Sequence, residues 1–300
     1  MTTPTLTPPP RVVVNTRTSP RQSELLRWCP LPSIPTISEK NRLLAALPAD
    51  EYLRLAPYLE VVRLEAKQVL ASPEQPIRHV YFPRDGVVSL LVPMEGGTAA
   101  EAATVGNEGM LGLQVFLGDG AASEEVVQMV PGEAVRMRAS VFREVVQCSP
   151  AFQSVLHRYT LALMNQIART SGCNRVHSVD HRCARLLLMS SDRVGADTFP
   201  ITHEALANML SVRRASVTEA AGMLQHAGLI EYHRGHMSIC DRDGLEAVAC
   251  EDYRLTRDGY DRLYQSRDVL TQSLDVPRSA RGALPRLSSS RPSRFRAKRI

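Results

Sequence analysis

Between Pro200 and Cys240 the apolar residues fall at helical steps, break over two residues, resume at helical steps and then alternate. A helix, a tight turn, a second helix and a hairpin satisfy that order. Thr202 can N-cap the first helix with Glu204 on the favourable side of its dipole, and Leu206, Met209 and Leu210 give it one apolar face. Ala207 supplies the small side chain that lets two helices cross closely, and Ser211-Val212 is the turn. The second helix starts near Arg213. Its Val217, Ala220, Ala221 and Leu224 face inward, while Arg213, Arg214, Ser216 and Thr218 lie on or near the exposed N-terminal part. That is the end of a helix-turn-helix that enters a major groove. Gly228 ends the helix. Glu231-Tyr232-His233 and Met237 to Cys240 then pair across a three-residue loop, Arg234-Gly235-His236, whose cationic tip would sit beside a phosphate.

The run ITHEALANMLSVRRASVTEAAGMLQHAGLIEYHRGHMSI resembles the C-terminal domain of the Crp/Fnr superfamily of bacterial transcription regulators. The resemblance implies DNA contacts from Thr202, Arg213, Arg214, Ser216, Thr218, Arg234 and His236, a homodimer on double-stranded DNA, and RNA polymerase as a further partner. Two positions depart from the family pattern. The turn glycine is Ser211, and the glutamate that usually follows the reading-helix arginine is Ala215, which removes an acceptor for cytosine N4 and alters the expected operator.

Upstream, short apolar runs are punctuated by turn residues. Val61 to Leu64, Gln68 to Leu70, His79 to Phe82, Val87 to Val92, Ala99 to Val105, Glu125 to Val130 and Ala134 to Met137 are strand-sized, after helices around Glu39 to Leu47 and Asp50 to Leu59. The fold class is α+β: an N-terminal β jelly roll, a long dimerisation helix and a C-terminal winged helix-turn-helix. In the superfamily the first of these is the cyclic-nucleotide-binding-like roll, and YFPRDGVVSLLV resembles its central hairpin. The domains are a flexible proline-rich extension over 1–36, the roll over 37–149, the dimerisation helix over 150–176, the winged domain over 177–252 and a C-terminal extension over 253–300, basic and disordered from about 275. Residues 276–300 hold seven arginines, one lysine and no acid, so the net charge of +5 becomes 5 − 8 = −3 without them. Overall basicity therefore says little about the folded body.

The roll is poorly equipped for a cyclic phosphate. From Asp85 through Val135 there are eight acids and no Lys, Arg or His. Where the resemblance places the ribose-binding turn and the phosphate-binding Arg-Ser pair, this chain has Gly109-Met110-Leu111 and Ala122-Ser123. Without the guanidinium the charge-assisted bonds are missing, so cAMP is not expected. An iron-sulfur cluster is not expected either, because Cys29 stands alone in the first 147 residues. His79 as a haem ligand is read as structural. Cys173, His177, His181 and Cys183 have a spacing that invites a metal or a redox role, but Ser178 and Asp180 start a helix and Cys183 turns inward with Leu186 and Leu187, so no metal or cofactor is expected.

Phe152, Leu156, Tyr159, Leu163 and Ile167 recur at steps of four, three, four and four, a stripe that suits either a helix packed against its own roll or a dimer coiled coil, and the dimer interface is the favoured reading. No apolar run reaches a membrane-spanning length and there is no signal-peptide core, so the cytoplasm is the expected location. No G-x-S-x-G, P-loop or H-E-x-x-H supports an enzyme. The alternative to a DNA-binding regulator is a ligand-binding roll acting through protein partners, with a vestigial helix-turn-helix. Cations at both the reading helix and the wing favour the regulator.

Overall fold

Seven short strands build two antiparallel sheets in the N-terminal half. The computed structural model describes residues 40–95 and 99–265; the extension expected over 1–36 and the tail from about 275 lie outside the described residues. The strands are β1 (Glu60–Leu64), β2 (Val69–Ala71), β3 (His79–Pro83), β4 (Val87–Pro93), β5 (Ala99–Val105), β6 (Glu125–Val130) and β7 (Gly132–Arg138), each within two residues of its expected bounds. One sheet has the order β1-β7-β3 and the other β2-β6-β4-β5. Their inner faces enclose Val80, Phe82, Val88, Val105, Val126, Val135 and Met137.

Two short helices precede the roll, α1 (Arg42–Ala45) and α2 (Ala49–Leu55). The helix expected to Leu59 ends at Leu55 and tightens into a 3-10 turn, Ala56–Tyr58, because Pro57 lacks an N–H to donate. Asn41 caps α1 by accepting from the Leu44 N–H at 3.1 Å, and its amide donates to the carbonyls of Pro83 and Gly109 at 2.7 and 2.8 Å. A short helix, α3 (Gln114–Leu117), follows β5, and α4 (Ala139–Gln147) follows β7. Neither was expected. Phe142 of α4 meets Phe82 and Phe152 with ring centroids 6.3 and 5.7 Å away, sealing the base of the roll.

The long helix α5 (Pro150–Val176) begins where expected, with the Ser149 hydroxyl accepting from the Phe152 N–H at 3.0 Å. Its expected dimer stripe needs correction. Phe152, Leu156, Tyr159 and Leu163 are 0, 0, 0 and 7 % exposed within a single chain, packed into the core of the roll. A side chain already surrounded by its own protomer cannot meet a partner. The spacing was that of a helix packed on its own roll. Of the five, Ile167 alone is exposed, at 38 %, and it neighbours Leu161 and Met164, both 61 % exposed, on the opposite face.

Beyond α5 come α6 (Val179–Val194), β8 (Thr198–Pro200), α7 (His203–Leu210), α8 (Arg214–His226), β9 (Ile230–His233), β10 (His236–Ile239), α9 (Arg242–Val248) and α10 (Asp252–Gln265). The third sheet has the order β8-β10-β9, so the hairpin gains a third strand in which Phe199 pairs with Met237. Helix α10 corrects the assignment of residues from 253 onward to an extension. It lies along α5, and Tyr260 and Leu263 join the core of the roll. The Tyr260 hydroxyl donates to Gln166 Oε1 at 2.8 Å, the Tyr264 hydroxyl donates to the Glu108 carbonyl, and Arg42 pairs with Asp261 at 2.6 Å. Among the described residues no helix is long and apolar enough to cross a membrane.

Candidate nucleic-acid interface

Helix α7 starts at Thr202, whose hydroxyl accepts from the Ala205 N–H at 3.1 Å, with Glu204 in the first turn. It stops at Ser211, held in the left-handed region at φ 53° where the family pattern has glycine. The strain there is offset locally: the Ser211 N–H donates to the Asn208 carbonyl at 3.2 Å, and its hydroxyl accepts from the Glu101 N–H of β5 at 3.2 Å. Arg182 of α6 donates to the Leu210 carbonyl. The turn between α7 and α8 is thus fastened to both the roll and α6.

Helix α8 buries Val217, Ala220, Ala221 and Leu224. Arg213 is its N-cap residue, and Arg213, Arg214 and Thr218 are exposed while Ser216 is half-buried. The wing differs from expectation in one respect. His233 pairs with His236, so the turn is the two residues Arg234 and Gly235, at φ 47° and 84°. Positive φ at both positions is the type I′ arrangement that matches strand twist, and it leaves His236 on the strand. Arg234 and His236 are both exposed. Among the described residues none of Arg213, Arg214 and Arg234 forms an ion pair.

A residue absent from the sequence reading joins these parts. His203 Nδ1 lies 3.1 Å from the Thr218 hydroxyl, and the ring stacks on Tyr232 of β9 with centroids 4.2 Å apart. Burial and then Arg214 hold its pKa down, which keeps the ring neutral beside the cations. A histidine directly after an N-cap was the available signal. The Thr218 hydroxyl also donates to the Arg214 carbonyl at 3.1 Å. His203 thereby sets the start of α8 against the wing.

The segment that the resemblance aligns with the ligand cassette is turned toward the protein itself. Arg193 of α6 donates from Nε to both oxygens of Glu108, at 3.0 and 3.2 Å, and from Nη2 at 2.7 Å; the side chains are 5 and 7 % exposed. Nη2 also donates to the Thr104 carbonyl at 2.9 Å. Gly106 lies against the stem of Arg193, and Gly109 against the Tyr159 ring, so that a Cβ at either would collide. Ala122 is 5 % exposed. Val87 and Val130 of the roll share a core with α6, so roll and reader are joined by apolar packing as well as by this ion pair.

Glu101 lies beside this junction, buried, with the Ser89 hydroxyl donating to Oε2 at 2.6 Å. Burial pushes its carboxyl up from the ordinary 4.5 to about 7, against the Ser89 hydrogen bond and the charges of Arg185, Arg193 and Arg182. The folded state therefore holds this proton more tightly than the unfolded chain. Its contribution to stability is full below pH 4.5, is lost as pH rises and is constant above about 7. Glu101→Gln keeps an acceptor for Ser89 and is expected to remove that loss. Urea unfolding should show the variant gaining on the wild type as pH rises through the window; an unchanged difference on both sides of it would contradict the assignment.

The four residues whose spacing invites a metal or redox role, Cys173, His177, His181 and Cys183, separate. His181 is exposed and 3.6 Å from Asp180, and Cys183 is fully buried, its thiol pushed up to about 12 by that burial. Cys173 and His177 instead meet Cys250 and Asp252.

Residues 181–248 match the family described as Crp-like helix-turn-helix domain, and residues 61–148 the family described as cyclic nucleotide-binding domain. No curated protein matches the chain. Among solved structures, FixK2 from Bradyrhizobium japonicum is 13% identical with a TM-score of 0.56, covering 64% of this chain and 98% of that one. A CRP-family transcriptional regulator from Thermus thermophilus is 20% identical with a TM-score of 0.53, over 63% of this chain and 96% of that one. The c-di-GMP responsive global regulator CLP of Xanthomonas campestris is 15% identical with a TM-score of 0.51, over 64% of this chain and 99% of that one. At these identities the likeness is one of fold.

Proposed function

The chain belongs to the Crp/Fnr superfamily, as a cyclic-nucleotide-binding-like roll followed by a Crp-like helix-turn-helix, and from that premise we propose a homodimeric DNA-binding transcription regulator that works without cAMP. The observation that carries it is the set of exposed cations, Arg213, Arg214 and Arg234, that no carboxylate of the described residues neutralises. Arginines at the start of a reading helix serve guanine and phosphate, and one at a wing tip serves the flanking phosphate. Thr202, Ser216, Thr218 and His236 complete the contact set, with His203 as the residue that positions it.

Two half-sites about one helical turn apart need two subunits. With Phe152, Leu156, Tyr159 and Leu163 committed to the roll, the partner would be met by the other face of α5, through Leu161, Met164 and Ala168. Steps of three and four continue along that face, as a two-helix seam requires. Leu161→Glu/Met164→Glu is expected to be a folded monomer without specific DNA binding, whereas Leu156→Glu is expected to unfold the roll. Light scattering and circular dichroism separate these results, and a dimeric double variant would place the interface elsewhere. Because Glu108 is already bonded to Arg193 and Ala122 stands where an anchoring arginine would be, cAMP added to the binding assay is expected to leave DNA affinity unchanged.

A further inference from the structure

The last turn of α5 and the start of α10 bring together two thiols, an imidazole and a carboxylate. Cys173 and His177 are one helical turn apart at the end of α5, while Cys250 and Asp252 flank the entry to α10. One ligand atom from each lies within 4.8 Å of all the others, and Cys173, Cys250 and Asp252 are 1, 5 and 6 % exposed. His177 Nδ1 is buried without a hydrogen-bond partner, 3.9 Å from Asp252 Oδ2. Its Nε2 lies 3.3 Å from Glu251 Oε2, and Arg169 donates to Asp252 Oδ1 at 3.3 Å.

We infer that Cys173, His177, Cys250 and Asp252 bind one zinc ion, through the two sulfurs, His177 Nδ1 and an Asp252 oxygen. Zinc–sulfur bonds of about 2.3 Å in a tetrahedron put the sulfurs about 3.8 Å apart, and the observed Sγ–Sγ distance is 3.5 Å. Thiolate and imidazole donors select zinc over magnesium or calcium, which prefer oxygen. The surroundings match what a ligated histidine needs: the nitrogen facing the ion is bare, and the other is set to donate to a carboxylate, Glu251, which fixes the tautomer and the ring.

Charge points the same way. Two thiolates and a carboxylate exceed the ion's charge by one. Arg182 and Arg185, buried and without an ion pair among the described residues, act on both thiols from α6. A disulfide accounts for less. Sulfurs 3.5 Å apart are not bonded, and joining them would leave His177 Nδ1 with no partner. Zinc would fasten α10 to the end of α5, immediately before α6 carries the chain into the reader.

The test uses the full-length protein, reduced, stripped with a chelator and shown to be folded by circular dichroism. Titration with Co²⁺ is expected to give the intense visible bands of tetrahedral cobalt with thiolate charge transfer, saturating at one ion per chain, and Zn²⁺ should bleach them. Cys250→Ser should lose much of the charge-transfer intensity, and Cys183→Ser should not. Glu251→Gln should weaken zinc binding about tenfold, as loss of a ligand's hydrogen-bonding partner does. If Cys250→Ser does not fold, His177→Gln at the helix end takes its place; it keeps both thiolates, and its Co²⁺ affinity is expected to fall about tenfold or more. Folded, reduced wild type without these bands would overturn the assignment, as would bands unchanged in Cys250→Ser or an unchanged Co²⁺ affinity in His177→Gln. A chain that only oxidises to a Cys173–Cys250 disulfide and takes up no Co²⁺ when reduced would overturn it too.

Discussion

Replacing Arg193 with methionine is expected to destabilise the protein by about 3–5 kcal/mol, the cost of leaving a buried carboxylate without its partner. Methionine preserves the apolar stem that packs on Gly106, so the effect isolates the charge. What it strands is the charge of Glu108, 7 % exposed at the side chain, whereas the Thr104 carbonyl keeps the hydrogen bond that the Gln166 amide donates at 2.9 Å. A second change should recover most of the loss. In Glu108→Gln/Arg193→Met neither member of the pair is charged, and the double variant is expected to be markedly more stable than Arg193→Met alone. Urea unfolding measures both. A single variant within about 1 kcal/mol of wild type, the range of an exposed pair, would mean that α6 and the roll do not share this junction.

The second large effect concerns DNA. Arg213→Ala and Arg214→Ala should each cost about 1–3 kcal/mol on the specific site, and the pair about 30-fold or more in affinity. Both side chains are exposed and make no ion pair among the described residues, so their removal should leave the unfolding midpoint unchanged. The two arginines should also differ in kind. The one that reads guanine relaxes specificity at one base pair, whereas the one on phosphate weakens all sequences alike and lowers the salt dependence by about one ion. Arg234→Ala at the wing tip should behave like the second. Fluorescence anisotropy on one duplex at several salt concentrations separates these outcomes.

The parts legible in the sequence are those whose pattern has one physical solution. The short β-branched run Glu125–Val130, closed by the turn at Pro131-Gly132, is strand-sized, and Thr202, Ala207 and Val217 carry a cap, a crossing and a core face in fixed order. Helix α5 was ambiguous because it has two apolar ridges. Phe152, Leu156, Tyr159 and Leu163 are bulkier and drew the interface assignment, but bulk is what the interior of the roll requires, and the lesser ridge of Leu161, Met164 and Ala168 was left outside. Helix α10 was hidden because its sequence is highly charged, and its inward residues Tyr253, Tyr260 and Leu263 find partners only on α5, α6 and the roll. The cysteine cluster failed for the same reason. Cys173 and His177 were recognised, but spacing joined them to His181 and Cys183, whereas the turn of α10 brings Cys250 and Asp252 from about 75 residues away. The wing turn lost one residue because pairing of His233 with His236 was not visible in composition.

Sequencing the DNA that the purified protein recovers from a random duplex pool tests the central claim most directly. Wild type is expected to enrich a two-fold-related motif with half-site centres about one helical turn apart, with or without cAMP, and the Arg213→Ala/Arg214→Ala variant to enrich none. No enriched motif from wild type, or the same motif from the double variant, would contradict the account.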